Sequence, residues 1–122
     1  MILIVDDEPQ VRETIARSVA ELGYSVREAA SGEAALALIE ESRPSLVILD
    51  YVMPGMDGAE TAREIAKIDA EIPVIFSTGH AALRVLRQTA GESASVLEKP
   101  FTLAELDALI AETLQQRRVR SA

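Results

Sequence analysis

ILIVDDEP, residues 2–9, sets four aliphatic side chains directly against three acidic ones. The run Ile2, Leu3, Ile4, Val5 shows no polar alternation. That is the pattern of a strand buried on both faces, and such strands belong to parallel sheets covered by helices on either side. Asp6, Asp7 and Glu8 then carry three formal negative charges on consecutive residues, which repel one another unless something positive sits among them. A solvated loop leading into a helix would account for them locally, because acids in a first helical turn are favoured by the macrodipole. The residues at the ends of the other strands decide between a loop and a site.

Aliphatic runs recur along the chain with amphipathic segments between them. They predict strands over residues 2–5, 24–29, 46–49, 73–76 and 95–97. Val11, Ile15, Val19 and Leu22 mark one face of a helix that starts near Pro9 and stops at Gly23. An Ala-rich helix is expected over residues 31–42, ended before Pro44, and a third following Gly58 through about Ile68. The fourth, residues 82–89, reads as short, with the segment QTAGESAS largely loop. The last is the clearest: Thr102 and Glu105 form a capping-box pair, and Leu103, Leu106, Leu109, Ile110 and Leu114 give the buried face. Strand–helix alternation of this kind predicts an α/β fold, a doubly wound (βα)5 unit of flavodoxin-like type with a parallel five-stranded sheet of order 2-1-3-4-5.

Bulk properties narrow the function classes. At 122 residues the chain is one domain with enough length to bury a core, and 48% hydrophobic with 26% charged residues marks it as globular. The absence of cysteine excludes disulfides, thiolate metal sites and a catalytic thiol. No basic segment precedes the first apolar run and no run approaches the length of a membrane span, so neither a signal peptide nor a membrane partner is expected, and the cytoplasm is the expected location. A net charge of −8 argues against a direct nucleic-acid partner. Arg117, Arg118 and Arg120 fall where a last helical turn favours cations, so they read as a helix end.

In an open parallel sheet, ligands bind outside the carboxyl ends of the strands. Asp6 and Asp7 come directly after strand one, Asp50 closes the run LVILD, Ser77 and Thr78 close PVIFST, and Lys99 closes SVLEK. In the order 2-1-3-4-5 these ends are neighbours. Asp6, Asp7 and Asp50 then make a hard oxygen cage suited to Mg²⁺, with Mn²⁺ as a substitute. A carboxylate can itself be the nucleophile in phosphoryl transfer. Such transfer needs neutralised phosphoryl oxygens more than acid–base machinery, and Lys99 and Thr78 supply a charge and a hydrogen-bond donor. Any one of these residues alone is a cap, a turn or a surface ion pair; their joint placement is what points to a site.

The arrangement resembles the receiver domain of bacterial two-component response regulators, over essentially the whole chain, from VDDE through LDYVMPGMDG to KPFTLAEL. The resemblance implies that Asp50 accepts a phosphoryl group from a sensor histidine kinase or a histidine phosphotransfer protein. It implies that Asp6, Asp7 and Asp50 hold Mg²⁺ with the backbone carbonyl of Val52, that Thr78 and Lys99 contact the phosphoryl group, and that the Lys99–Pro100 bond is cis. Phosphorylation would then switch a surface formed by helix four, strand five and helix five, so the domain is expected to be a signalling switch and not an enzyme. The receiver is expected over residues 1–118, with a short tail at 119–122 and no output domain.

Three positions depart from or qualify the pattern. Most receivers carry an aromatic residue three before the lysine; here it is Val96, so an aromatic toggle is missing. FSTGH, the aliphatic Val96 and VLEKPF are similar to stand-alone regulators and to receivers appended to hybrid histidine kinases, where a receiver acts as relay or phosphate sink. In the family that the chain resembles, the residues two beyond the acceptor and two beyond the threonine flank the path of attacking water, and here these are Val52 and His80. Val52 cannot orient a water, so slow self-dephosphorylation is expected, while His80, the only histidine, is expected on a solvated loop. Rival readings fit less well. A haloacid-dehalogenase-type phosphatase wants a second Asp where Val52 stands, a flavin or nucleotide site would be repelled by DDEP, and a phosphorylation-independent pseudo-receiver would have lost part of the set Asp7, Asp50, Thr78, Lys99.

Overall fold

The computed structural model describes residues 1–91 and 94–121, residues 117–121 by backbone alone. Ten elements alternate without exception: β1 (Ile2–Val5), α1 (Pro9–Glu21), β2 (Val26–Ala29), α2 (Gly32–Glu41), β3 (Leu46–Asp50), α3 (Gly58–Ile68), β4 (Val74–Gly79), α4 (His80–Ala90), β5 (Ser95–Lys99) and α5 (Leu103–Ser121). The five strands pair in parallel in the order β2-β1-β3-β4-β5, as the alternation predicts.

Alternation of side chains along each strand divides the core in two. Ile2, Ile4, Leu46, Ile48, Ile75 and Leu97 meet Ile15, Val19, Leu106 and Ile110, so α1 and α5 cover one face. Leu3, Val5, Val47, Leu49 and Phe76 meet Ala35, Ile39, Ile65 and Leu86 of α2, α3 and α4 on the other. Each fully buried Leu or Ile contributes on the order of 1.5–3 kcal/mol relative to exposure, so the unbroken apolar strands supply most of the drive to fold.

The helix ends obey local chemistry. Pro9 stands in the first turn of α1, where a missing N–H costs nothing. The Ser31 hydroxyl accepts from Ala34 N at 3.1 Å to start α2, and the Asp57 carboxylate accepts from Glu60 N at 2.9 Å to start α3. Thr102 and Glu105 form the expected reciprocal box, Glu105 N donating to Thr102 Oγ1 at 3.1 Å and Thr102 N to Glu105 Oε1 at 3.3 Å.

Several boundaries differ from expectation. The strands β3, β4 and β5 run on to Asp50, Gly79 and Lys99 because backbone pairing continues past the apolar run, with Asp50 opposite Ser77 and Gly79 opposite Lys99. β2 begins at Val26, not Tyr24. α4 begins at His80 and takes in Gln88, Thr89 and Ala90 of the expected loop. It stops at Gly91, whose φ of 94° breaks the helix; Glu92 and Ser93 lie outside the described residues. His80 is therefore the first residue of a helix and not a loop histidine. α5 continues through residues 119–121, where a tail is expected from the sequence. The side chains of Arg117, Arg118 and Arg120 lie outside the described residues.

Candidate functional site

The sheet brings the expected residues together at its carboxyl edge. Asp6 comes directly after β1 and is buried, Asp7 beside it is half-buried, and Asp50 ends β3 with 6% exposure. One carboxylate oxygen from each of the three lies within 4.8 Å of the others. Lys99, from the end of β5, places its Nζ 3.4 Å from Asp6 Oδ2 and 3.6 Å from Asp50 Oδ1. One ammonium thus stands between the two buried carboxylates and leaves the cluster with a net negative charge. Lys99 pairs with the site and not with Glu98, which instead faces His80 Nδ1 at 3.2 Å.

The electrostatics of Asp50 arise from that geometry. Burial raises its carboxyl pKa from 3.8 to about 6, and the nearby charge of Asp6 adds to the rise. Lys99 and the backbone N–H of Val52, which donates to Asp50 Oδ1 at 3.4 Å, oppose it, while Asp7 pushes weakly upward. A carboxylate held this way gains from any further positive charge placed among the acids. That fits a divalent cation with oxygen ligands, and the donor set, three carboxylates and no nitrogen or sulfur, is the hard one that such ions take.

Thr78, on β4, is 1% exposed, and its hydroxyl donates only a long 3.4 Å bond to the Gly79 carbonyl, so it is free to turn toward a better acceptor. Val52 is 60% exposed on the loop after β3. His80, at the start of α4, has a mostly exposed side chain. Val96 pairs in register with Phe76 and packs partly buried against the α2, α3, α4 side of the core. The Lys99–Pro100 bond is cis, as the resemblance implies.

Two supports of the site escaped the sequence reading. Arg12 reaches back from α1 so that its Nη1 donates to the Asp6 carbonyl at 2.9 Å, while its Nε pairs with Glu28 of β2 at 3.1 Å. A basic residue in the first turn of a helix, where the dipole disfavours it, was the available signal. Tyr51 packs edge-to-face on Phe76 with centroids 5.8 Å apart, and its carbonyl accepts from Gly58 N at 2.9 Å, which anchors the loop after Asp50.

An acidic cluster and a lysine at the carboxyl edge of a flavodoxin-like sheet, with a hydroxyl beside them, define a receiver-type site. Residues 2–111 match the family described as response regulator receiver domain, and the chain belongs to that family. It is 39% identical over 117 residues to the response regulator MprA of Mycolicibacterium vanbaalenii, covering 94% of this chain and 50% of that protein. It is 40% identical over 126 residues to the positive alginate biosynthesis regulatory protein of Pseudomonas aeruginosa, covering 99% and 50%. The chain thus spans about half the length of these curated relatives. Among solved structures, the receiver domain of NtrX from Brucella abortus superposes with a TM-score of 0.88 at 32% identity, covering 94% of this chain and 98% of that one. A receiver domain protein from Clostridium thermocellum gives 0.89 at 30%, covering 97% and 96%. The domain is a receiver of two-component signalling, a class that works with histidine kinases or phosphotransfer proteins. Among the described residues no helix is long and apolar enough to cross a membrane.

Proposed function

We propose that Asp50 is the phospho-acceptor and that the domain is a cytoplasmic bacterial switch, not an enzyme with a turnover of its own. The observation that carries this reading is the Lys99 ammonium held between Asp6 and Asp50 beside a three-carboxylate cluster. A carboxylate oxygen of Asp50 forms the new bond to phosphorus as the phosphorus–nitrogen bond of a phosphohistidine breaks. The electron pair leaves with the imidazole, which takes up a proton. With its pKa at about 6, Asp50 is largely ionised at neutral pH and ready to attack.

Asp6, Asp7 and Asp50, with the Val52 carbonyl, are the residues that would hold Mg²⁺. When bound, the ion supplies positive charge against the phosphoryl oxygens. Lys99 moves with the charge from the carboxylate to the phosphoryl oxygens, and the Thr78 hydroxyl turns away from its long bond to donate to them. That movement draws in the junction between β4 and α4 and biases the surface of α4, β5 and α5 toward a form that a protein target binds. The phosphoryl donor is a sensor histidine kinase or a histidine phosphotransfer protein.

The test is intact mass after incubation with acetyl phosphate and Mg²⁺, beside Asp50→Asn and metal-free samples. One added phosphoryl group that needs both Asp50 and the metal is expected. If neither acetyl phosphate nor beryllofluoride with Mg²⁺ forms an Asp50-dependent adduct, the domain signals without phosphorylation and the proposal is wrong.

A further inference from the structure

Ser77 is 1% exposed, and its Oγ is the one buried side-chain polar atom among the described residues that has no hydrogen-bond partner. Leaving a buried hydroxyl unpaired is unfavourable, and such a group in a folded protein calls for an explanation. Its position supplies one. Ser77 stands in register with Asp50 on one side and Leu97 on the other. Ile4, Ile48, Ile75 and Leu97 all face the α1 and α5 layer, so Asp6, Asp50, Ser77 and Lys99, each two residues further along, share that face.

Lys99 lies on β5, yet its ammonium reaches Asp50 of β3 and Asp6 beyond β1. With the strand order β1-β3-β4-β5, its side chain has to cross β4 on that same face. A Cβ built on Gly79, the register partner of Lys99, would meet nothing within 4 Å. By register the path from Lys99 to Asp50 crosses β4 between their partners, Gly79 and Ser77, and Ser77 is the one of the two that carries a side chain. Lys99 has three N–H donors. The two carboxylates take it at 3.4 and 3.6 Å, long for charge-assisted bonds, so the ammonium sits loosely in the resting state.

We propose that Ser77 is a positioning residue whose Oγ accepts a hydrogen bond from the Lys99 ammonium when that ammonium shifts onto the phosphoryl group at Asp50. The hydroxyl lacks a partner at rest because its partner arrives only with the phosphoryl group. This rests on the reading of Asp50 as phospho-acceptor and adds a residue that acts through Lys99. A serine at this point also keeps the crossing narrow enough in side-chain volume for the lysine to pass.

The test compares wild type, Ser77→Ala and Ser77→Thr, each with Lys99 intact and with Lys99→Met, by the rate of mass gain with acetyl phosphate and Mg²⁺. The metal-free thermal midpoint is measured alongside. Ser77→Ala should slow phosphorylation about three- to tenfold with Lys99 present and have no effect in the Lys99→Met background, and Ser77→Thr should restore much of the rate. The metal-free midpoint of Ser77→Ala should stay level or rise, since an unpaired buried hydroxyl has been removed; a merely structural serine would lower it. An unchanged rate, an equal loss in both lysine backgrounds, or a loss that tracks a lowered midpoint would overturn the inference while leaving Asp50 as acceptor. A wild-type protein that gains no Asp50-dependent mass would overturn both.

Discussion

Asp50, the proposed acceptor, is also a side chain on which the stability of the domain depends. Its folded-state pKa of about 6 lies above the ordinary 3.8, so the folded state holds its proton more tightly than the unfolded chain does. The stability from this group is fully present below the ordinary value and is lost as pH rises through 6. Metal-free Asp50→Asn should therefore match wild type near pH 4 and exceed it at pH 7 by about 1–3 kcal/mol in urea unfolding. Parallel stability curves over that range would show that burial and Asp6 do not strain the carboxylate. Val52 serves the site through its backbone while its side chain is exposed, so Val52→Asn should leave the unfolding midpoint unchanged and hasten loss of the phosphoryl group; an unchanged lifetime would rule out a role for this side chain in admitting water. Most of these positions were legible in the sequence, because an acid, a hydroxyl or a lysine closing an apolar run in a parallel sheet can only lie at the carboxyl edge. The hold of Arg12 on the Asp6 carbonyl and the lack of a partner at Ser77 were not. They depend on which way a side chain turns once neighbouring strands are packed, and spacing along the chain does not encode that.

Among the secondary-structure elements, β1 matches its apolar run, whereas β3, β4 and β5 extend beyond theirs. Apolar periodicity reports buried side chains, whereas the ladder is made by the backbone and runs on through Asp50, Ser77, Thr78 and Lys99. α4 departs from its expected start for a related reason: Gly79 caps it without a side-chain hydrogen bond and no acid marks its first turn, so its start leaves no sign in the sequence. α5, with its Thr102–Glu105 box, begins where expected, and α3, capped by Asp57, within a residue of it. Removing the α5 box with Thr102→Ala should lower stability by about 1 kcal/mol without altering phosphorylation. Gly58 is more consequential. A Cβ there would lie 2.6 Å from Tyr51 Cα and 2.7 Å from the Asp50 carbonyl oxygen, both backbone atoms that cannot swing away. Gly58→Ala should therefore displace the loop that carries Val52, lowering both the unfolding midpoint and the phosphorylation rate. A variant with wild-type rate would mean that the loop yields without disturbing Asp50.

Taken over the domain, the two faces of the sheet have different work. The α1 and α5 layer packs on the face that carries Asp6, Asp50, Ser77 and Lys99, while Thr78, Phe76 and Val96 lie toward α2, α3 and α4. Val96 leaves that point without an aromatic residue, and on the proposed reading a change at Thr78 would pass through the junction of β4 with α4, where His80 meets Glu98 of β5. A cation held by the cluster of acids would tie metal binding to folding. Mg²⁺ at ten times its dissociation constant should raise stability at pH 7 by roughly 1.4 kcal/mol, read as a higher thermal midpoint, and Asp7→Asn should remove most of that gain. The most direct check on Asp50 as acceptor is chemical: treat the protein with acetyl phosphate and Mg²⁺, reduce it with borohydride, digest it and sequence the modified peptide. An acyl phosphate at Asp50 will appear as homoserine at position 50 and nowhere else. Homoserine at another carboxylate, or a phosphoryl group retained on His80, would contradict it.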